Sequence, residues 1–356
     1  YGVPGPRGSV RRAPRAGVRA WPGSSRWEWG SPSLGRHRTR AVTAIMAAVR
    51  VSAGSDPGSQ GRRHPKQSAG QGIFVYTHGE MLPANAYPKL KAYRNLIGNY
   101  GGAWQNQKKD FEEFGGPVLV TTNCVLIPPE SYKDRLYTTS VAAVTGVKHI
   151  ADRKDFSAII KPAQEIGDLR EGKGPDMWTG AHHKAVLSLA PQIIDAVKAG
   201  KIKHFFLVGG CDGAALSRDY YTKLAEKIPT DSVVMTLACG KYRFNTKEFG
   251  EIDGIPRFLD LGQCNDSYSA IVLAVELAKA FKVDVNELPL SIVLSWFEQK
   301  AVAIVLTLLA LGIKDVRVGP TLPAFITPSN WRLIQDKFGW KAIGDVDEDL
   351  RDMLKA

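Results

Sequence analysis

The chain holds four cysteines, Cys124, Cys211, Cys239 and Cys264, and each closes an apolar run just before a turn. The runs read GPVLVTTN, HFFLVGG, SVVMTLA and RFLDLGQ in that order. Thiols at the carboxyl ends of separate parallel strands share one sheet edge, the edge outside which open α/β sheets bind ligands. Any single one of them could equally be a small core residue. Their common placement at strand ends favours a shared ligand. Disulfides are not expected, because a chain with a large core needs no covalent staple. A structural zinc site would use closely paired cysteines, a spacing this sequence does not show. Widely spaced thiolates on a rigid edge suit an iron–sulfur centre better. Gly209, Gly210, Gly213 and Gly240 would let the backbone pass close to a bulky inorganic ligand.

Harder donors belong to the same edge. SWFEQKA places Glu298 and Lys300 after the run 290–296, and THGEMLPA places His78 and Glu80 after the run 72–78. Each also has a plainer reading. Ser295 and Glu298 match the S-x-x-E capping box that opens a helix. Glu80 fits a first-turn acid stabilised by a helix dipole, and His78 a hydrogen-bonded core histidine. The pair His182 and His183 opens a helical segment with no partner in view, so it is assigned no function.

These residues need strands to carry them. Short, β-branched, nearly continuous apolar runs lie at 72–78, 116–123, 204–210, 232–239, 257–263, 290–296 and 315–319. Such runs suit strands buried on both faces of a parallel sheet. Helical signals alternate with them at ANAYPKLKAYRNLIGNY, HHKAVLSLAPQIIDAVKAG, SRDYYTKLAEKI, DSYSAIVLAVELAKAF and EQKAVAIVLTLLALG. The alternation predicts an α/β fold of two doubly wound, largely parallel-sheet, Rossmann-like domains. Their expected bounds are 71–180 and 181–356, joined near EGKGPDMWTG, after a disordered basic tail over 1–70.

Charge follows the same division. Residues 1–70 carry 13 Lys or Arg against two acids, nearly all of the formal +12 of the 356-residue chain. The near-neutral remainder offers no nucleic-acid-binding face. The Arg-, Gly- and Pro-rich tail reads as disordered, either an organelle transit segment or, since the first methionine is Met46, fragmentary or non-native sequence. The apolar stretch AVAIVLTLLALGI falls short of the ~20 residues that span a bilayer. A soluble cytoplasmic protein is therefore expected, with an organelle matrix as the alternative and no membrane partner.

VGGCDG, TLACGKYRFN, DLGQCNDSYSA, LSWFEQKAVAI, VGPTLPAF, THGEMLPA and TTNC together resemble the hybrid cluster protein family, the prismane proteins or hydroxylamine reductases. The likeness runs from about Ile73 to the C-terminus, and the intervals of 28 and 25 residues between Cys211, Cys239 and Cys264 agree with it. It implies a hybrid iron–sulfur–oxygen cluster, of four-iron, two-oxygen, two-sulfur type, held by Glu80, Cys124, Cys211, Cys239, Cys264 and Glu298. It further implies catalytic roles for Cys211, which would carry a persulfide, and for Lys300, a proton donor beside the cluster. The implied activity is reduction of small N–O compounds: hydroxylamine to ammonia and water, or nitric oxide to nitrous oxide, with electrons from a donor protein. The family's upstream histidine ligand and its N-terminal four-cysteine motif for a conventional cubane have no counterpart in this sequence, so a labile or incomplete centre is expected. The alternatives are a non-catalytic metal-binding or nitrosyl-sensing protein and a carbon monoxide dehydrogenase-like one. A dinucleotide-binding dehydrogenase is disfavoured, because GGCDG lacks the G-x-G-x-x-G pattern.

Overall fold

The computed structural model of the chain describes residues 16–20, 42–47, 67–121, 124–151, 155–166, 174–211, 218–295 and 299–355. One sheet contains β1 (Ala16–Ala20), β2 (Val42–Ala47), β3 (Ile73–His78), β4 (Leu96–Asn99), β5 (Val118–Val120), β6 (Leu136–Thr139), β7 (Lys148–Ile150) and β8 (Gly174–Thr179). Their spatial order is β7-β6-β5-β2-β3-β4-β1-β8. Every neighbouring pair is parallel except β1 with β4.

The next two strands are β9 (His204–Gly210) and β10 (Ser232–Thr236). A small antiparallel hairpin, β11 (Glu251–Ile252) and β12 (Ile255–Pro256), follows them. Then come β13 (Phe258–Asp260), β14 (Leu290–Ser295), β15 (Arg317–Gly319) and β16 (Lys341–Ala342). The second sheet runs β13-β10-β9-β14-β15-β16, parallel throughout. From β9 the chain winds outward through β10 and β13, then returns to β14 on the other side of β9. Between β9 and β14 the winding reverses, and the crevice beyond their carboxyl ends is where doubly wound sheets bind ligands.

Alternation within each strand explains why both faces are covered. In β9, Phe205 and Leu207 join Ile193, Leu273 and Val305 on one face, while Phe206 and Val208 join Leu224 and Leu350 on the other. In β5 of the first sheet, Leu119 packs with Ile159 and Ile160, and Val118 and Val120 with Phe111 and Phe114. Side chains of a strand point to opposite faces with period two, so a continuous apolar run can stay put only with helices on both sides.

The structure departs from the sequence expectation in three places. ANAYPKLKAYRNLIGNY is not one helix: Gly79–Ala86 winds as a 3-10 turn, Pro88–Lys91 as a short helix, and Leu96–Asn99 is β4. Pro83 and Pro88 each lack a backbone donor and so interrupt a continuous helix. The segment read as a joint, EGKGPDMWTG, supplies β8 at the sheet edge. Residues 1–70, read as a disordered tail, supply β1 and β2. VTAIMA is apolar apart from one threonine and lies between β3 and β5, a local signal that the Arg- and Pro-rich average over the tail conceals. No helix among the described residues is long and apolar enough to cross a membrane.

Candidate metal centre

Strand β3 ends at His78, and the turn after it carries Glu80 in its first turn, where the side chain is buried. Its carboxylate crosses to the second sheet. Oε2 accepts the Cys264 backbone N–H at 2.9 Å, and Oε1 accepts from Cys239 Sγ at 3.6 Å. The carboxyl edges of the two sheets therefore meet at this residue. The Cys264 thiol is hydrogen bonded to that of Cys211, and Cys239 interacts with Cys124 and Cys211, so the four thiols share one region. Cys211, Cys239 and Cys264 are buried and Cys124 is half-buried. Lys300 lies in the first turn of the helix Gln299–Ala310, and its charge acts on Cys264. Glu298 lies outside the described residues.

Electrostatics in this pocket are one-sided. Burial pushes the Cys239 thiol well up, the Glu80 carboxylate and the Cys124 and Cys211 thiols add to it, and a backbone N–H from Trp104 works against them. For Cys264 the hydrogen bond with Cys211 raises the thiol most, followed by burial and Glu80, while Lys300 lowers it. Several acids facing one another in a dry site are costly to ionise together. A cationic metal centre removes that cost by drawing out the thiol protons, so the donor set fits an iron–sulfur group. Among the described residues no three His, Cys, Asp or Glu side chains surround one point closely enough to hold a single ion.

Each cysteine turn contains a backbone reversal. Cys124 has φ 64°, Gly210 φ 111°, Ala238 φ 65° with ψ −165°, and Gly262 φ 124°, so every thiol lies at or within two residues after a positive φ. Ala238 occupies a region that usually only glycine enters, at a cost of ~1–3 kcal/mol. At Gly210 an added Cβ would run into the Ser295 carbonyl of β14. Gly210→Ala is thus expected to lower stability by about 3 kcal/mol or more, through the left-handed backbone and the overlap together. Urea unfolding measures this; a loss under about 1 kcal/mol would show that the turn relaxes freely.

Two buried braces hold the turns around Cys239 and Cys264. Lys241 Nζ donates to Asp260 Oδ1 and to the Gly262 carbonyl, both at 2.6 Å, with the two side chains 2% and 0% exposed. Asp266 accepts the Gln263 N–H at 2.7 Å, and burial pushes its carboxyl up to about 6. Sequence reasoning assigned nothing to Lys241, Asp260, Trp104 or Gln107. A charge closing an apolar strand, as Asp260 closes FLD, is the signal that points to a buried partner. His78 is a hydrogen-bonded core histidine, its Nε2 at 2.9 Å from Asp110 Oδ2. His183 has a partner that the sequence did not suggest, the Ser269 hydroxyl at 2.9 Å.

Known proteins resemble this chain in both sequence and fold. The pattern of the Prismane/CO dehydrogenase family matches residues 63–351. A protein of Moorella thermoacetica named hydroxylamine reductase is 61% identical over 289 residues, covering 81% of this chain and 67% of that one. One of the same name from Thermodesulfovibrio yellowstonii is 57% identical over 291 residues, covering 82% and 54%. The chain thus spans between about half and two thirds of the relatives it matches. Among solved structures, carbon monoxide dehydrogenase IV from Carboxydothermus hydrogenoformans superposes with a TM-score of 0.68 at 15% identity, covering 89% of this chain and 59% of that one. A nickel-free carbon monoxide dehydrogenase from Thermococcus sp. AM4 gives 0.66 at 16%, covering 89% and 57%. At such identity these two show a shared fold.

Proposed function

Since the chain belongs to the Prismane/CO dehydrogenase family, we propose that its facing sheet edges hold a hybrid iron–sulfur–oxygen cluster and reduce hydroxylamine to ammonia and water. The observation that carries this reading is the Glu80 carboxylate bonded to both the Cys239 thiol and the Cys264 backbone, inside a pocket shared by four thiols. Cys124, Cys211, Cys239, Cys264 and Glu80 would hold the group, with Glu298 as a further ligand. Bound there, the cluster would supply electrons and Lewis-acid iron to a nitrogen or oxygen donor.

Cleavage of the N–O bond of hydroxylamine consumes two electrons and two protons and yields ammonia and water. The electrons come from a donor protein. Lys300, half-buried at the start of its helix, holds a proton at Nζ beside Cys264. Delivering it there would spare the leaving oxygen a separation of charge in a site of low polarity. Burial of Cys211, Cys239 and Cys264 keeps bulk water from the thiolates. Nitric oxide is a second small N–O substrate compatible with the same chemistry.

Anaerobic reconstitution followed by iron, sulfide and hydroxylamine-turnover assays tests the reading. Iron with acid-labile sulfide and measurable turnover is expected; zinc alone would overturn it. Cluster-loaded protein without turnover would leave a metal-binding role only. In Lys300→Met, turnover should fall by about 10²–10⁴-fold, the usual contribution of a positioned general acid, at unchanged iron content. A rate within twofold of the parent would remove Lys300 from the chemistry.

A further inference from the structure

We propose, resting on the cluster reading above, that residues 101–110 form a clamp that sets the orientation of three of the four cysteine turns, with Gln107 and Asp110 as its positioning residues. Gln107 is 4% exposed and opens the helix Gln107–Phe114. Its amide bridges the Cys124 turn: Nε2 donates to the Cys124 carbonyl, and Oε1 accepts the Leu126 N–H at 3.1 Å. A side-chain amide places donor and acceptor next to each other, as a neighbouring backbone C=O and N–H require. Cys124 needs such support, because at φ 64° it occupies a left-handed conformation unfavourable to a non-glycine residue.

Trp104 reaches two more turns. Its backbone N–H donates to the Cys239 thiol, and its indole Nε1 donates to the Cys211 carbonyl at 3.4 Å. Asp110 anchors the start of the segment. Its Oδ2 accepts the Gly102 N–H at 3.0 Å and lies 2.9 Å from Nε2 of His78, the last residue of β3. Because His78 precedes Glu80 by two residues, one segment ties the carboxylate side of the pocket to the turns of Cys124, Cys211 and Cys239. Gln107 and Trp104 bond to the cysteine residues themselves, and Asp110 holds the segment that carries them. Their effect would be to fix where each thiolate points, the role of partners that lie behind metal ligands and typically matter by ~10–100-fold in affinity.

Gln107→Glu isolates the idea. It keeps shape and the acceptor toward Leu126, but replaces the donor facing the Cys124 carbonyl with a second acceptor. In the full chain, reconstituted anaerobically, resistance of the iron to a chelator should fall about tenfold or more, and the electron paramagnetic resonance signal of the reduced cluster should shift. In the same chain without metal, iodoacetamide should alkylate Cys124 faster relative to Cys264 than in the parent, as read by peptide mass spectrometry. This second arm needs no cluster, so failure of the cluster reading and failure of the clamp are told apart. Gln107→Met, which loses both bonds without adding charge, should change the labelling ratio in the same direction. Glu113→Gln, exposed on the same helix but outside the clamp, should match the parent. A folded Gln107→Glu or Gln107→Met chain with parental labelling of Cys124 and parental chelator resistance overturns the proposal.

Discussion

Lys241→Met is expected to lower the stability of the chain by about 3–5 kcal/mol, the usual cost of leaving one partner of a buried ion pair alone. Asp260 is fully buried, and its Oδ1 receives the Lys241 ammonium and the Gly262 N–H at 3.0 Å. Methionine fills the space of the lysine stem but returns no donor. The carboxylate must then either stay charged in a dry site or take up a proton, and both are costly. A change of that size rivals the whole stability of many domains. The double variant Lys241→Met/Asp260→Asn should recover a large part of the loss, because the stranded charge is gone. Urea midpoints of the four chains give the coupling directly; simple additivity of the two single losses would mean that the pair does not act as a unit. The pair also joins the turn after Cys239 to the turn before Cys264, so the single variant should retain less iron.

Replacing Cys239 or Cys264 by serine should have the largest effect on the metal. A buried serine hydroxyl keeps its proton where a thiol can give one up, and thiolate is the preferred ligand of iron–sulfur clusters. Each substitution should therefore lower iron and sulfide retention by more than the ~10–100-fold typical of residues behind the ligands. The fold should survive, since serine is smaller than cysteine by little and both positions open short 3-10 turns after their strands. Cys239→Ser also removes the thiol that donates to Glu80, while the Cys264 backbone N–H still holds that carboxylate. Metal analysis after anaerobic reconstitution, with circular dichroism as the control for folding, decides the matter. Unchanged iron and sulfide in both variants would make these cysteines ordinary core residues.

Legibility in the sequence followed the range of the interactions involved. The runs that became β9, β10, β13 and β14 were readable because continuous apolar character is a local property, and a cysteine written just after such a run must emerge at the strand's carboxyl end. β4 and β8 were not readable, since LIGN and GPDMWT are short and flanked by residues that suit helix or turn equally well. β2 was hidden within a stretch whose average composition speaks for disorder. What made VTAIMA a strand is the partners on either side of it, β3 and β5, and those are remote in sequence.

The sequence by itself determined the fold class, the strand ends at which the thiols sit and, through its motifs, the family. It could do so because apolar periodicity and covalent adjacency are written residue by residue. Only the tertiary structure decided that the winding of the second sheet reverses between β9 and β14, and that the first sheet presents Glu80 to the second across 184 residues of chain. The same holds for the Lys241–Asp260 brace and for Gln107 on the Cys124 turn. Each of these depends on which buried polar group finds which partner. That choice is set when the chain closes on itself and most donors and acceptors left in its dry interior must find partners.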